Sequence, residues 1–90
     1  MTAKSIVAQR AKEYGQPAPY LSALEEIWTI MDVVKAGSPN HVDGVHPALK
    51  MIVMKALRLC HTPDHLDSLV DIEGYKICIE ECLKNGKRSG

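Results

Sequence analysis

The 90-residue chain contains no phenylalanine, and its aromatic residues are limited to Trp28, Tyr14, Tyr20 and Tyr75. Its core must be built from Leu, Ile, Val, Met and Ala, and so thin an aliphatic core in so short a chain often needs a second chain to complete it. Net charge is missing too: eleven Lys and Arg balance eleven Asp and Glu. A neutral protein has no long-range field to draw it to polyanions, which disfavours binding of long nucleic acid or of a membrane surface. No apolar run approaches the ~20 residues that span a bilayer. Lys4, Arg10 and Lys12 interrupt the stretch where a signal-peptide core would lie, so the expected location is the cytoplasm. Cys60, Cys78 and Cys82 are an odd number at irregular spacing, which speaks against a disulfide framework. Strict apolar alternation is lacking as well, so no strand is expected.

What is present is apolar periodicity near 3.6 residues, punctuated by Pro and Gly into four segments. The expected fold is all-α, an antiparallel four-helix bundle in a single domain over residues 1–90, oligomeric, with a frayed tail at 87–90. Helix 1 runs from an N-cap at Thr2 to Tyr14, and Gly15 ends it. Helix 2, from Ala18 to Lys35, places Tyr20, Leu24, Ile27, Trp28, Met31 and Val34 on one stripe. Helix 3, from Pro47 to His61, has Leu49, Ile52, Val53, Ala56 and Cys60 as its core stripe. Met51 and Met54 then project among Lys50, Lys55 and Arg58 toward water, as a contact surface. Helix 4 is capped by Thr62 or Asp64 and continues to Lys84.

On helix 4 the positions Asp67, Asp71, Gly74 and Cys78 form one row, flanked by Leu66, Val70 and Ile77 on one side and by Ile72, Tyr75, Ile79 and Cys82 on the other. Two carboxylates in an apolar arc need cations, and Lys55 and Arg58 are the nearest. One reading is an internal polar network that sets helix register. The other is a cleft in which a phosphate, or a phosphate-bound Mg²⁺, completes the network, since Arg forks onto phosphate and Asp pairs hold Mg²⁺. Gly74 in the same row would admit a closely packed helix or ligand.

Taken together, Tyr14-Gly15, the run from Met54 to Leu59 and the run from His65 to Tyr75 carry a pattern of YG, K-x-x-R-L and H-x-D-S-x-x-D-x-x-G-Y. The pattern resembles a family of small phage and prophage proteins whose domain has no assigned function. More distantly it is similar to phage domains associated with nucleotide modification. The resemblance spans about residues 10–80 and implies a phage-encoded cytoplasmic helical protein. Tyr14, Lys55, Arg58, His65, Asp67, Asp71 and Tyr75 stand at its patterned positions.

Three function classes follow. The favoured one is a binding module that captures a nucleotide-derived phosphate ligand without turnover, sequestering a nucleotide immune signal. In it Lys55 and Arg58 contact phosphate, Asp67 and Asp71 orient those cations or a Mg²⁺ ion, His65 donates to phosphate or orients Asp67, and Tyr14, Tyr20 or Tyr75 stacks on the base. No cofactor is expected beyond that Mg²⁺. The second is a MazG-like Mg²⁺-dependent nucleoside triphosphate pyrophosphohydrolase, which requires E-x-x-E and E-x-x-D on two helices. Glu25 and Glu26 are adjacent instead, and Lys55 and Arg58 stand where further carboxylates belong. The third is a structural or adaptor oligomer with no small ligand. A zinc site from Cys60, His61, His65 and Cys78 or Cys82 lacks the tight ligand pairs that zinc sites use.

Overall fold

The computed structural model describes the backbone of residues 2–14, 17–85 and 88–89, and the side chains of 2–12 and 18–85. It contains four helices, α1 (Ala3–Tyr14), α2 (Pro17–Ala36), α3 (Val45–His61) and α4 (Leu66–Asn85), packed as an all-α helical bundle. Two short strands, β1 (His41–Val42) and β2 (Arg88–Ser89), form an antiparallel pair. Neither strand is visible as alternation in the sequence, and β2 pairs where a frayed tail is expected; a two-residue ladder is too short to leave a periodic signal.

Each helix boundary has a local cause. Thr2 caps α1 reciprocally: its Oγ1 accepts from the Ser5 amide at 3.1 Å, and its own amide donates to Ser5 Oγ at 3.1 Å. Pro17 and Pro19 lie in the first turn of α2, where backbone N–H groups lack helical partners anyway. After Ala36 the chain is turned by Ser38, whose amide donates to the Lys35 carbonyl, and Pro39 blocks resumption. The His41 ring Nε2 also donates to that carbonyl, at 2.8 Å. α3 starts two residues before Pro47, at Val45. Its N-cap is Gly44 at φ 87°, a left-handed conformation that only glycine adopts without strain.

The cap of α4 differs from expectation. His65, not Thr62 or Asp64, occupies the position, with its Nδ1 receiving the Ser68 amide at 3.3 Å and the Ser68 hydroxyl at 2.8 Å. A backbone N–H can only donate, so Nδ1 carries the lone pair and the proton of the neutral ring sits on Nε2. Ser68, 1% exposed, is the most buried side chain described, and this bond is what makes burial of its hydroxyl tolerable.

α3 is the hub, since α1, α2 and α4 all pack on it and the α3–α4 hairpin is the most extensive contact. α2 docks antiparallel through two side-chain bonds to α3 carbonyls: Tyr20 Oη donates to Met54 O at 3.1 Å, and Trp28 Nε1 to Lys50 O at 3.2 Å. The half-buried side of α3 therefore includes Lys50, Met51, Met54, Lys55 and Arg58, whereas Leu49, Ala56 and Cys60 are exposed. This reverses part of the expected orientation. The three neighbouring helices cover much of the basic and methionine-bearing side and leave part of the apolar stripe bare. Among the described residues only Leu24, Ala48 and Ser68 are buried.

Gly44 comes close to α4, where a Cβ added to it would lie 2.7 Å from Cys82 Sγ. Gly44→Ala is expected to destabilise by about 1–3 kcal/mol from the positive φ and the clash together. Adding Cys82→Ala should recover the steric part, and thermal melts of the two single variants and the double would show coupling between the positions. Additive effects would refute the contact.

Candidate functional site

Interhelix charge pairs lie in two places along α3. At the α3–α4 junction, Lys55 Nζ lies 2.9 Å from Asp71 Oδ2, with the lysine side chain 12% exposed and the aspartate 46%. Arg58, one turn on, is half-buried with its Nε sealed from solvent, and its carbonyl receives the Thr62 amide that closes α3. His65 and Tyr75 are half-buried on the side of α4 that faces the fold. Asp67 is exposed.

The expectation that both aspartates are interred together is therefore corrected. α4 is turned so that Ser68, Asp71, Ile72, Tyr75, Ile79 and Cys82 face inward, while Leu66, Asp67, Val70 and Ile77 point outward. What looks like one broad apolar arc in sequence is two separate faces, with the carboxylate row between them. Of the two, Asp71 is the one that reaches a cation among the described residues. Gly74 lies on the outward side, with nothing within 4 Å of a Cβ placed there. The side chain of Tyr14 lies outside the described residues. Tyr20, considered for stacking, has its hydroxyl committed to Met54.

The second cluster lies between α2 and α3, and sequence reasoning missed it. Asp32 Oδ1 accepts from Lys50 Nζ at 2.8 Å and from the His46 Nε2 at 2.9 Å. The Lys50 ammonium also sits 5.6 Å from the centre of the Trp28 ring, within cation–π range. Trp28 and Asp32 are one turn apart on α2, as are His46 and Lys50 on α3. That repeated one-turn spacing is the only sequence signal, and it acquires meaning once the helices are known to dock antiparallel. The hydrogen bond from Lys50, then that from His46, holds the Asp32 carboxyl below its ordinary value of 3.8.

Next to this cluster is a cleft of about 540 Å³, in which Ile30 and Val34 of α2 face Val42, Val45 and Leu49. His41, Asp43 and His46 stand among these apolar side chains. Lys55, Arg58, His65, Asp71 and Tyr75 are not part of it. Among the described residues no group of three or more His, Cys, Asp and Glu side chains is arranged to hold a metal ion, and no helix is long and apolar enough to cross a membrane.

The sequence profile of a domain of unknown function, DUF6378, matches residues 1–83. The chain belongs to this family. The match covers all four helices except the last two residues of α4. No curated protein and no solved structure matches the chain. As a DUF6378 domain it therefore brings a fold and a set of residues, and its chemistry has to be argued from them.

Chemically, the α3–α4 junction is a self-neutralised pair with a half-exposed carboxylate. Breaking it from either side is not equivalent. Asp71→Asn leaves a mostly covered ammonium without its counter-charge, and is expected to lower stability by about 1–2 kcal/mol. Lys55→Met keeps the apolar stem and should cost less. Chemical denaturation of both variants tests this, and the reverse order would show that the lysine is held by something other than Asp71.

At the second cluster the sign of the pH effect is fixed by the depressed carboxyl of Asp32. Its contribution to stability is present above the unfolded-state value and is lost as pH falls through the lower folded-state value. NMR titration should place the Asp32 midpoint below 3.8, and Lys50→Met should raise it. An unchanged midpoint in that variant would remove Lys50 as the main cause.

Proposed function

We propose that this chain is a non-catalytic binding protein that works as an assembled helical unit, with apolar helix faces as its working surface. One observation carries the reading. Large apolar side chains stand exposed on every helix, including Ile30, Val33 and Val34 on α2 and Leu66, Val70 and Ile77 on α4. Contiguous apolar exposure on this scale marks surfaces made to be covered. The polar groups argue the same way, since Lys55 and Asp71, and Lys50 and Asp32, neutralise each other across helix contacts as groups that hold register do.

A second reading retains capture of a nucleotide-derived phosphate ligand without turnover, as in sequestration of a nucleotide immune signal by a phage protein. It is favoured by Lys55 and Arg58 standing three residues apart on α3, with Asp71 half-exposed against the lysine. An incoming phosphate would displace that carboxylate and take over the lysine, with Arg58 contributing a guanidinium suited to a phosphate face. Hydrolysis in the MazG manner has less support. The carboxylate that comes close to the junction is held by a lysine, where Mg²⁺ chemistry needs unencumbered acids.

Incubation with Mg²⁺ and a panel of linear and cyclic nucleotides, followed by chromatography of the free and protein-retained fractions, separates the readings. The expected outcome is unaltered nucleotide with none retained. Intact nucleotide released on denaturation would favour the phosphate reading, and altered nucleotide would overturn both.

A further inference from the structure

We infer that the bare stripe of α3 is the contact with a second copy of this chain, the two α3 helices packing antiparallel about a two-fold axis. The inference rests on the binding reading above and names its partner. Leu49, Val53, Ala56 and Cys60 follow the alternating four- and three-residue spacing of a helix seam. Leu49, Ala56 and Cys60 are exposed and Val53 is half-buried, although this is the most regular apolar stripe that α3 possesses. No charged residue interrupts it. On its flank, Ile30 and Val34 of α2 open into the same cleft as Leu49, so the bare surface extends from one helix to the next.

Two quantities say how much surface is waiting to be covered. The chain exposes 6464 Å², whereas a folded monomer of its mass exposes about 5,200 Å². Its radius of gyration is 15.3 Å, against about 12 Å for a compact domain of this length. The excess of about 1,300 Å² per chain is spread over all four helices and is larger than the ~800 Å² per partner that a standard interface buries.

The stripe is also complementary to itself in one direction. In an antiparallel two-fold pairing Leu49 meets Cys60 of the partner subunit, and Val53 meets Ala56 of the partner subunit. Every layer then sets a larger side chain against a smaller one, which is the condition for filling an interface without voids or overlap. Parallel pairing would instead stack Leu49 on its own copy at one end and Ala56 on its own copy further along, giving a crowded layer and a gap. A surface of this kind, isologous and free of charge, fits a second copy of itself.

The test uses the full chain. Wild-type protein at tens of micromolar is expected to be a dimer by light scattering. Leu49→Cys should form a covalent dimer with native Cys60 under mild oxidation, and this product should vanish when Cys60→Ser is added. Within one chain, positions 49 and 60 are about 16 Å apart along the helix, beyond the reach of a disulfide. Ala56→Glu, at an exposed position, should weaken the dimer at least tenfold while the helical circular dichroism is retained. A monomeric wild type overturns the proposal and leaves a foreign protein as the occupant of the face. So does a dimer that neither cross-links through Leu49→Cys nor responds to Ala56→Glu. These outcomes stand apart from the nucleotide panel, in which turnover would refute the binding reading itself.

Discussion

The fold depends on the cations of α3. Lys50, Lys55 and Arg58 lie on the side of α3 that its neighbours partly cover, and a lysine drawn into a helix contact requires an acid. α2 supplies Asp32 to Lys50 and α4 supplies Asp71 to Lys55, so these two helices are tied to the hub through charged groups. Charge pairs of this sort add little to net stability compared with apolar packing, but they are specific about position. A one-turn slip of α2 would set Trp28 or Ala36 where Asp32 now meets Lys50.

The same arrangement explains why the chain buries so little. Its single tryptophan and Tyr20 are spent fastening α2 to the α3 backbone, by hydrogen bonds from Trp28 to Lys50 and from Tyr20 to Met54. Met51 and Met54 are half-buried on the side that carries the long basic side chains. With the covered side occupied by lysine, arginine and methionine, the most regular aliphatic stripe of α3 is left partly bare.

The α3–α4 junction and the α2–α3 seam also separate two functions that a site would combine. At Lys55 the ammonium is met by Asp71, and the apolar cleft lies elsewhere, beside Leu49 and His46. A ligand pocket normally brings convergent polar groups into an apolar concavity; here His41, Asp43 and His46 stand in the cleft, and His46 is engaged with Asp32 across the α2–α3 contact. Membership of DUF6378 places the whole helical core within one domain type.

The sequence by itself determined what is local. Four helices, the Thr2 cap and the breaks near Gly37-Ser38-Pro39 and Thr62-Pro63 follow from short-range chemistry, in which a hydroxyl, a proline ring or a glycine acts on backbone groups a few residues away. The pairing of Lys55 with Asp71 was legible too, because a short connection forces α3 and α4 into antiparallel contact. Tertiary structure alone decided the rest. Which side of α3 is covered, that Asp67 points outward and that Asp32 serves Lys50 and His46 all depend on how the helices rotate about their own axes when they dock. Periodicity marks an apolar stripe but does not say which neighbour meets it, so a chain with apolar residues on more than one helix face admits several rotations. The observed rotation is the one that sets Lys50 against Asp32 and Lys55 against Asp71.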